Sequence, residues 1–171
     1  MAKGIAHFSK VETPGIGTVW VAVGPNGLIA ADFRTTRKRF VAGLRRRGFF
    51  PEENPKKVTG LLTQAKQYSA GKTSALKAKL DWSVVGDFTR KILQETARIP
   101  PGKTRSYGEI AARIGHPGAA RAAGNALARN PFPLWVPCHR VIKSGGGLGG
   151  FGGPGAGVKL KEYLLKLEKA L

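Results

Sequence analysis

The sequence predicts an α+β protein, in which a small N-terminal α/β domain (a sheet with helices) precedes a mostly helical, winged-helix-like domain that contains a helix-turn-helix. Two observations predict this order. The first half of the chain carries a β-hairpin pattern followed by helical periodicity, and the second half carries successive helical patterns around a proline-rich segment. The change between these two patterns falls near residue 82, so we expect domains at residues 1–82 and 83–171.

A β-hairpin is predicted near the N-terminus. Residues 18–23 and 28–33 are rich in β-branched and aromatic side chains, and residues 24–27 between them form a turn quartet, Gly-Pro-Asn-Gly. Helical spacing of apolar residues then predicts helices over residues 37–48 and 58–68. This half shows no catalytic constellation.

Two basic runs lie in the first predicted helix, at residues 37–39 and 45–47. Each is three consecutive Lys or Arg residues. A solvated helix face and direct contact with phosphate groups explain such runs equally well, so both interpretations stay open.

The second half begins with three helical patterns. The first ends at the Pro-Pro-Gly of residues 100–102. The second begins at Ser106, because Ser106 and Glu109 form a capping box, in which each side chain accepts a hydrogen bond from the other's backbone N–H. Residues 115–118 break the chain, and a third helix follows over residues 119–129. Two helices joined by a short glycine-containing turn predict a helix-turn-helix.

The third of these helices has unusually small side chains. Seven of its residues are Ala or Gly, and Arg121 is a long charged side chain among them. So little bulk allows the backbone to approach another surface closely, either a neighbouring helix or a nucleic-acid groove. The net charge of +19 favours a groove. Short side chains suit an opened minor groove better than the major groove, where base reading needs several long polar side chains.

The single cysteine lies in a proline-rich segment. Prolines at positions 131, 133 and 137 exclude a helix and predict a stiff, extended path that aims the side chain of Cys138. His139 and Arg140 follow directly, and a nearby base or positive charge lowers the pKa of a thiol toward its nucleophilic thiolate form. An inert buried cysteine is the alternative, and the flanking residue types argue against it.

The last part of the chain combines a flexible loop and a helix. Residues 144–153 are too glycine-rich for regular structure, and their backbone can approach a ligand closely. They match neither the phosphate-binding loop nor the dinucleotide fingerprint. Leucines at helical spacing over residues 158–171 predict an amphipathic closing helix.

Composition narrows the class of protein. With 29 Lys and Arg against 10 Asp and Glu, the charge indicates a polyanionic partner. The chain lacks a signal-peptide pattern and an apolar run of about 18 residues, so we expect a cytoplasmic, nucleoid-associated protein with no membrane partner. One Cys and three His support neither a disulfide framework nor a metal site, and no cofactor is expected. Low counts of Asn, Gln, Met and Cys favour a heat-adapted source, with a biased genome as the alternative.

Several of these motifs, in this order, resemble the O6-alkylguanine-DNA alkyltransferases, also called methylated-DNA–protein-cysteine methyltransferases. The resemblance covers about residues 85–168, roughly half of the chain. It rests on the Pro-Cys-His-Arg of residues 137–140, the Ser-Tyr-Gly-Glu of residues 106–109, the small helix, Asn130, the glycine-rich loop and the segment from Lys161 to Glu168.

The resemblance implies a monomeric suicide DNA-repair protein that acts on double-stranded DNA containing O6-alkylguanine. Through a minor-groove helix-turn-helix, it would flip the damaged base into a pocket. The thiolate of Cys138 would take the alkyl group, once per protein molecule. His139 would act as the base through a water, and Glu168 would orient and polarise His139.

The resemblance also implies roles for the surrounding residues. Asn130 would fix the turn before the cysteine, and Arg121 would fill the gap left by the flipped base. Tyr107 would act at the flipped nucleotide, and Lys161 would stabilise the leaving guanine. Further DNA contacts are expected from Ser106, Ala120, Gly124, Arg129 and Arg140. The substrate pocket is expected to include Val141, Phe151, Gly152 and Gly153.

Other interpretations remain open at this point. Tyr107 could be a core aromatic, Arg121 a solvated charge and Lys161 an exposed helix lysine. For the whole chain, the alternatives are a non-catalytic helix-turn-helix DNA-binding protein with an inert cysteine and a Cys-His hydrolase. Some relatives place a Ser where Gly152 or Gly153 stands, so backbone donors would have to carry that hydrogen bond, and the pocket width stays open.

Overall fold

The computed structural model describes residues 3–33, 35–151 and 157–171. Its strands and helices confirm the predicted α+β class. The chain divides into two compact units, Met1–Val84 and Val85–Leu171. No helix in the described ranges is both long and apolar enough to cross a membrane.

The unit Met1–Val84 is built on a four-stranded sheet with the strand order β3-β2-β1-β4. Its strands are β1 (Ile5–Thr13), β2 (Gly17–Gly24), β3 (Gly27–Phe33) and β4 (Phe50–Glu53). β2 and β3 form the predicted hairpin. Its turn requires glycine at position 27, because Gly27 has a φ of 132° and a Cβ there would lie 2.2 Å from the backbone oxygen of Lys79. β1 pairs antiparallel with β2 and parallel with β4, and neither β1 nor β4 was predicted.

Two helices complete this unit, α1 (Arg37–Arg46) and α2 (Pro55–Ser69). Thr36 caps α1, because its side chain accepts a hydrogen bond from the backbone N–H of Arg39. The rings of Phe8, Trp20 and Phe40 lie 5.7 to 6.3 Å apart and form part of the core between the sheet and α1.

The unit Val85–Leu171 is mostly helical. It contains α3 (Asp87–Ala97), β5 (Arg105–Ser106), α4 (Tyr107–Arg113), α5 (Ala120–Ala128), β6 (Val141–Ile142) and α6 (Val158–Leu167). The capping box is confirmed, since Glu109 N donates to Ser106 Oγ and Ser106 N donates to Glu109 Oε2. α4 and α5 form the predicted helix-turn-helix, and both pack against α3.

The proline-rich segment differs from the prediction. The extended path is wrong over residues 132–136, where the backbone N–H of Val136 donates to the carbonyl oxygen of Phe132 in a tight turn. Leu134 has a φ of 75°, which is rare for a residue with a side chain. Proline restricts φ to a value that turns and extended segments share, so the prolines alone do not distinguish the two. Cys138–Arg140 then forms one 3₁₀ turn before β6.

Candidate active site

The candidate active site is a cavity of about 950 Å³ in the unit Val85–Leu171. It is bounded by the start of α4, one face of α5 and the segment that follows β6. Cys138 lies in the wall of the cavity and is 9 % exposed. A concave site of this size accommodates a small-molecule ligand or a part of a larger one.

Asn130 connects the end of α5 to the cysteine. Its Nδ2 donates to the carbonyl oxygen of Val136 at 2.9 Å and to Sγ of Cys138 at 3.2 Å. Its Oδ1 accepts a hydrogen bond from the backbone N–H of Phe132 at 2.9 Å. These three bonds hold both sides of the tight turn and fix the direction in which the thiol points.

The cysteine and the histidine are both buried. Burial raises the pKa of the Cys138 thiol, and the Asn130 amide and the charge of Lys161 oppose this rise. Burial lowers the pKa of the His139 imidazole, and Glu168 opposes that fall. Near pH 7, the site therefore holds a protonated thiol and a neutral imidazole that can accept a proton.

Glu168, just after α6, is the centre of a buried charge network. Its Oε1 lies 3.0 Å from Nε2 of His139. The same oxygen accepts a hydrogen bond from Arg140 Nη2 at 2.7 Å, and Oε2 accepts one from Arg140 Nε at 2.8 Å. Nη1 of Arg140 donates to the carbonyl oxygen of Ile99 at 2.6 Å. The structure thus brings His139 and Glu168 together and adds Arg140 as the counter-ion.

The expectation that Arg140 contacts DNA is wrong for its side chain. The residue is only 6 % exposed, and its guanidinium is bound to Glu168 and Ile99. Moving the guanidinium to the surface would leave a buried carboxylate uncompensated. No local pattern indicates this pairing, because Glu168 lies 28 residues away along the chain.

Lys161 is fully buried although it belongs to an amphipathic helix. Its Nζ donates to the carbonyl oxygen of Val141 and lies 3.4 Å from both the Tyr107 hydroxyl and the Gly150 carbonyl oxygen. Burial lowers the pKa of Lys161 from 10.5 to about 8. The exposed-lysine alternative is therefore excluded. Tyr107 is half-buried and lines the cavity, so it is not a core aromatic either.

The other residues predicted to contact DNA lie on two helix faces. Ala120, Arg121 and Gly124 line the cavity from α5, and Arg121 is exposed. Arg129 is exposed directly after α5, and Ser106 is half-buried at the start of α4. This geometry leaves all five residues at or near the surface of the helix-turn-helix.

The predicted pocket residues are only partly described. Phe151 lines the cavity, and its ring meets the His139 ring edge-on with centroids 6.3 Å apart. Val141 is fully buried and contributes its carbonyl oxygen to Lys161. Gly152 and Gly153 lie outside the described residues.

Sequence reasoning gave no role to three polar side chains in the cavity wall, those of Asn125, Lys143 and Ser144, although Ser144 begins the glycine-rich segment predicted to approach a ligand. Asn125 had a signal, because it is the one uncharged polar residue in the small helix. The side chains of Lys143 and Ser144 had none, since such residues are common in exposed loops. Arg121 and Lys143 are the charged residues among the described lining residues and none is acidic, so the cavity favours anions. Over the described ranges, no three His, Cys, Asp or Glu side chains are grouped as metal ligands.

Comparisons with known proteins identify the proteins that the chain resembles. The family model described as 6-O-methylguanine DNA methyltransferase, DNA binding domain, matches residues 87–170. Methylated-DNA–protein-cysteine methyltransferases of Mycobacterium tuberculosis and Methanosarcina barkeri are both 37 % identical to the chain, over 164 and 166 residues respectively. The alignments cover 96 % and 95 % of this chain and 93 % and 97 % of those proteins.

Solved structures of the same kind share the fold. The M. tuberculosis O6-methylguanine methyltransferase has a TM-score of 0.79 at 35 % identity, covering 97 % of this chain and 94 % of that one. M. tuberculosis OGT in complex with DNA has a TM-score of 0.77 at 35 % identity, covering 96 % and 93 %. The corresponding protein of Pyrococcus kodakaraensis, at 24 % identity and a TM-score of 0.64, has the same fold over 96 % of this chain and 99 % of that one.

Proposed function

The chain belongs to the methylated-DNA–protein-cysteine methyltransferase family, and from that premise we propose that it repairs DNA by moving an alkyl group from guanine O6 to its own Cys138. One observation carries the assignment of the acceptor. Cys138 lies in the wall of the cavity, and its Sγ accepts a hydrogen bond from Asn130 Nδ2. A donor aimed at a sulfur stabilises the thiolate more than the thiol and so supports nucleophilic attack.

The proton of the thiol has to leave as the sulfur attacks. The neutral imidazole of His139 takes it through a bridging water at Nδ1, because Nε2 faces Glu168. Glu168 stabilises the imidazolium that forms, as the third member of a nucleophile–base–orienter relay. The sulfur–carbon bond forms while the carbon–O6 bond breaks. No step restores the thiol, so each protein molecule acts once.

The guanine leaves with negative charge that must be balanced. Tyr107 and Cys138 both line the cavity. The buried Lys161 Nζ lies 3.4 Å from the Tyr107 hydroxyl, and its charge acts on the Cys138 thiol. We assign the Lys161 ammonium to stabilise the developing negative charge, and Tyr107 to contact the flipped nucleotide beside it.

The burial of Cys138 supports a mechanism in which the damaged base leaves the duplex. A stacked guanine cannot reach a sulfur in a residue that is 9 % exposed. The proposal therefore includes base flipping, with the small residues of α5 in the minor groove and Arg121 in the gap that remains. All these residues belong to one chain, so the mechanism needs only a monomer.

Stoichiometry tests this function. The protein is mixed with a molar excess of duplex that contains O6-methylguanine, and restored guanine is counted over time. We expect one restored guanine per protein molecule and then no further repair, and none with Cys138→Ser. Continued turnover would indicate a hydrolase. DNA binding without any restored guanine would indicate the non-catalytic binding protein.

A further inference from the structure

α1 presents a surface made only of cations. Every exposed residue of this helix is Lys or Arg, namely Arg37, Lys38, Arg39, Arg45 and Arg46. Its other five residues, which include the core residues Phe40 and Leu44, are buried or half-buried. We call Lys38, Arg39, Arg45 and Arg46 the basic face.

Helix stability explains only the C-terminal half of the basic face, because Arg45 and Arg46 lie in the last turn, where the helix macrodipole favours cations. Arg37 is bound to Glu53 at 2.8 Å, and it alone of the five has an ion pair within the part of the chain that is described. The first turn of α1 has no acidic residue. Lys38 and Arg39 there oppose the helix macrodipole, which favours negative charge at that end. Four exposed cations that have no counter-ion among the described residues attract a polyanion.

We propose that the basic face binds the phosphate backbone of duplex DNA, as a contact additional to the one proposed for α5. The inference shares with the proposed function only that DNA is the partner. Lys38 and Arg45 are seven residues apart, as are Arg39 and Arg46, so each pair spans two turns and about 10 Å along one helix face. Duplex DNA carries one negative charge per about 1.7 Å of its axis, so this span covers several phosphates. Contacts to phosphates carry no sequence information, so this binding is independent of sequence.

The salt dependence of binding to undamaged duplex tests this proposal. One variant replaces the basic face with glutamines, as K38Q/R39Q/R45Q/R46Q. The matched control removes the same charge from exposed lysines of the same unit, as K56Q/K57Q/K66Q/K72Q. We expect the slope of log K against log salt to shrink by about 3 to 4 for the first variant and by less than about 1 for the control. If the slope shrinks equally in both variants, net charge alone explains the binding. If the slope of the first variant is unchanged, the basic face does not contact phosphates. Either result overturns the proposal.

Two further measurements separate this proposal from neighbouring explanations. Removing Lys38 and Arg39 relieves the macrodipole and removing Arg45 and Arg46 weakens it, so the thermal midpoint of the basic-face variant should change little, whereas a structural role would lower it. At low salt and saturating damaged duplex, the same variant should still accept one alkyl group per molecule. The salt slope then reports on the phosphate contact, and the number of alkyl groups accepted reports separately on alkyl transfer.

Asn125 supplies the one side-chain hydrogen-bond acceptor that α5 contributes to the cavity wall. α5 contributes Ala120, Arg121, Gly124, Asn125, Leu127 and Ala128 to this wall. The guanidinium of Arg121 only donates, and the other four side chains have no polar atoms. Asn125 is exposed and lies one turn from Arg121 on the same helix face.

We infer that Asn125 recognises a G·C base pair next to the lesion. This inference rests on the proposed binding of α5 in the minor groove. In the minor groove, the guanine N2 amino group is the donor that distinguishes G·C from A·T. Oδ1 of Asn125 can accept from that amino group. One helical turn separates Cβ atoms by about 5–6 Å, which corresponds to one or two base-pair steps from the position of Arg121.

Single-turnover alkyl transfer on matched duplexes tests this inference. The duplexes differ only in having G·C or A·T at the one or two pairs beside O6-methylguanine. We expect G·C neighbours to react about three- to tenfold faster, which is the effect of one hydrogen bond. Asn125→Leu should abolish this ratio, and Ser144→Ala, the control at another exposed residue of the cavity, should keep it. No preference in the native protein, or a preference that survives in Asn125→Leu, would overturn the inference, whereas failure of the proposed function would give no transfer to any duplex.

Discussion

The side-chain amide of Asn130 donates a hydrogen bond to Sγ of Cys138 across 3.2 Å. The same amide holds the turn that precedes the cysteine, through the carbonyl oxygen of Val136. One side chain therefore both positions the nucleophile and favours its thiolate. This links the end of α5 to the sulfur of Cys138.

Asn130→Asp should remove both hydrogen bonds that the amide donates, to Sγ of Cys138 and to the carbonyl oxygen of Val136. The carboxylate can still accept the hydrogen bond from Phe132 N, but it has no N–H to give to the sulfur and adds a negative charge beside it. We expect alkyl transfer about 10- to 100-fold slower, the effect of losing a hydrogen bond to a charged group. Single-turnover rates measure this, and a rate equal to that of the native protein would contradict the role of the amide.

The buried pair of Arg140 and Glu168 should dominate the stability of its surroundings. Arg140→Met leaves the Glu168 carboxylate without its counter-ion, so we expect a loss of about 3–5 kcal/mol in the free energy of unfolding. Urea titration measures this. Arg129→Met, at an exposed position, is the control, with an expected change within about 0.5 kcal/mol. Equal stability of the two variants would refute the pairing.

Lys161 should make stability depend on alkaline pH. Its pKa in the folded protein is about 8, below the ordinary 10.5, because burial disfavours the ammonium form. Between these values the unfolded chain holds more protons than the folded chain, so the free energy of unfolding gains a contribution that rises with pH. Below pH 8 the penalty on the buried ammonium is fully present, and above 10.5 it is relieved.

Urea titrations across this pH interval check the prediction. Lys161→Met should lose the rising contribution, and Lys159→Met, at an exposed position of the same helix, should retain it. The same pH profile for the native protein and Lys161→Met would show that Lys161 does not titrate in this range.

Gly149 should be required for the position of Tyr107. A Cβ at Gly149 would lie 2.7 Å from the Tyr107 hydroxyl oxygen, and its φ of +73° also disfavours a side chain. We expect Gly149→Ala to slow alkyl transfer about 10- to 100-fold by displacing Tyr107.

Two other glycines of the segment provide the controls. Gly146 has a φ of +84°, and a Cβ added there would meet nothing within 4 Å, so Gly146→Ala tests backbone strain alone. Gly145 has equal space without that φ, so Gly145→Ala should be silent. If Gly146→Ala is as slow as Gly149→Ala, strain explains the effect and the contact with Tyr107 does not.

Local patterns predicted much of the fold. The hairpin of β2 and β3 and the capping box of α4 depend on residues a few positions apart, and such signals are visible in a sequence. β1 and β4 were missed. β4 leaves no local turn signal, because it pairs in parallel with β1, residue 50 with residue 5. β1 does have one, since it forms a hairpin with β2 around the Pro-Gly of residues 14–15, and that turn was overlooked.

The site was predictable in its residue types and less so in its contacts. Cys138 and His139 were named from the residue types around the single cysteine and Glu168 from a family resemblance, and the structure brings His139 and Glu168 together. The burial of Arg140 was not foreseen, because charged residues are mostly exposed unless a partner is present. The partners of Arg140 and Lys161, which are Glu168 and the carbonyl oxygen of Val141, become neighbours only in the folded chain.

The intact mass of the protein tests the central claim most directly. The protein is mixed with an equimolar duplex that contains one O6-methylguanine, beside a control duplex with guanine. We predict a gain of one methyl group in place of one hydrogen, with the damaged duplex only, located at Cys138 by peptide mapping. An unchanged mass while both duplexes remain bound, or a methyl group on another residue, would contradict the assignment of Cys138 as the alkyl acceptor.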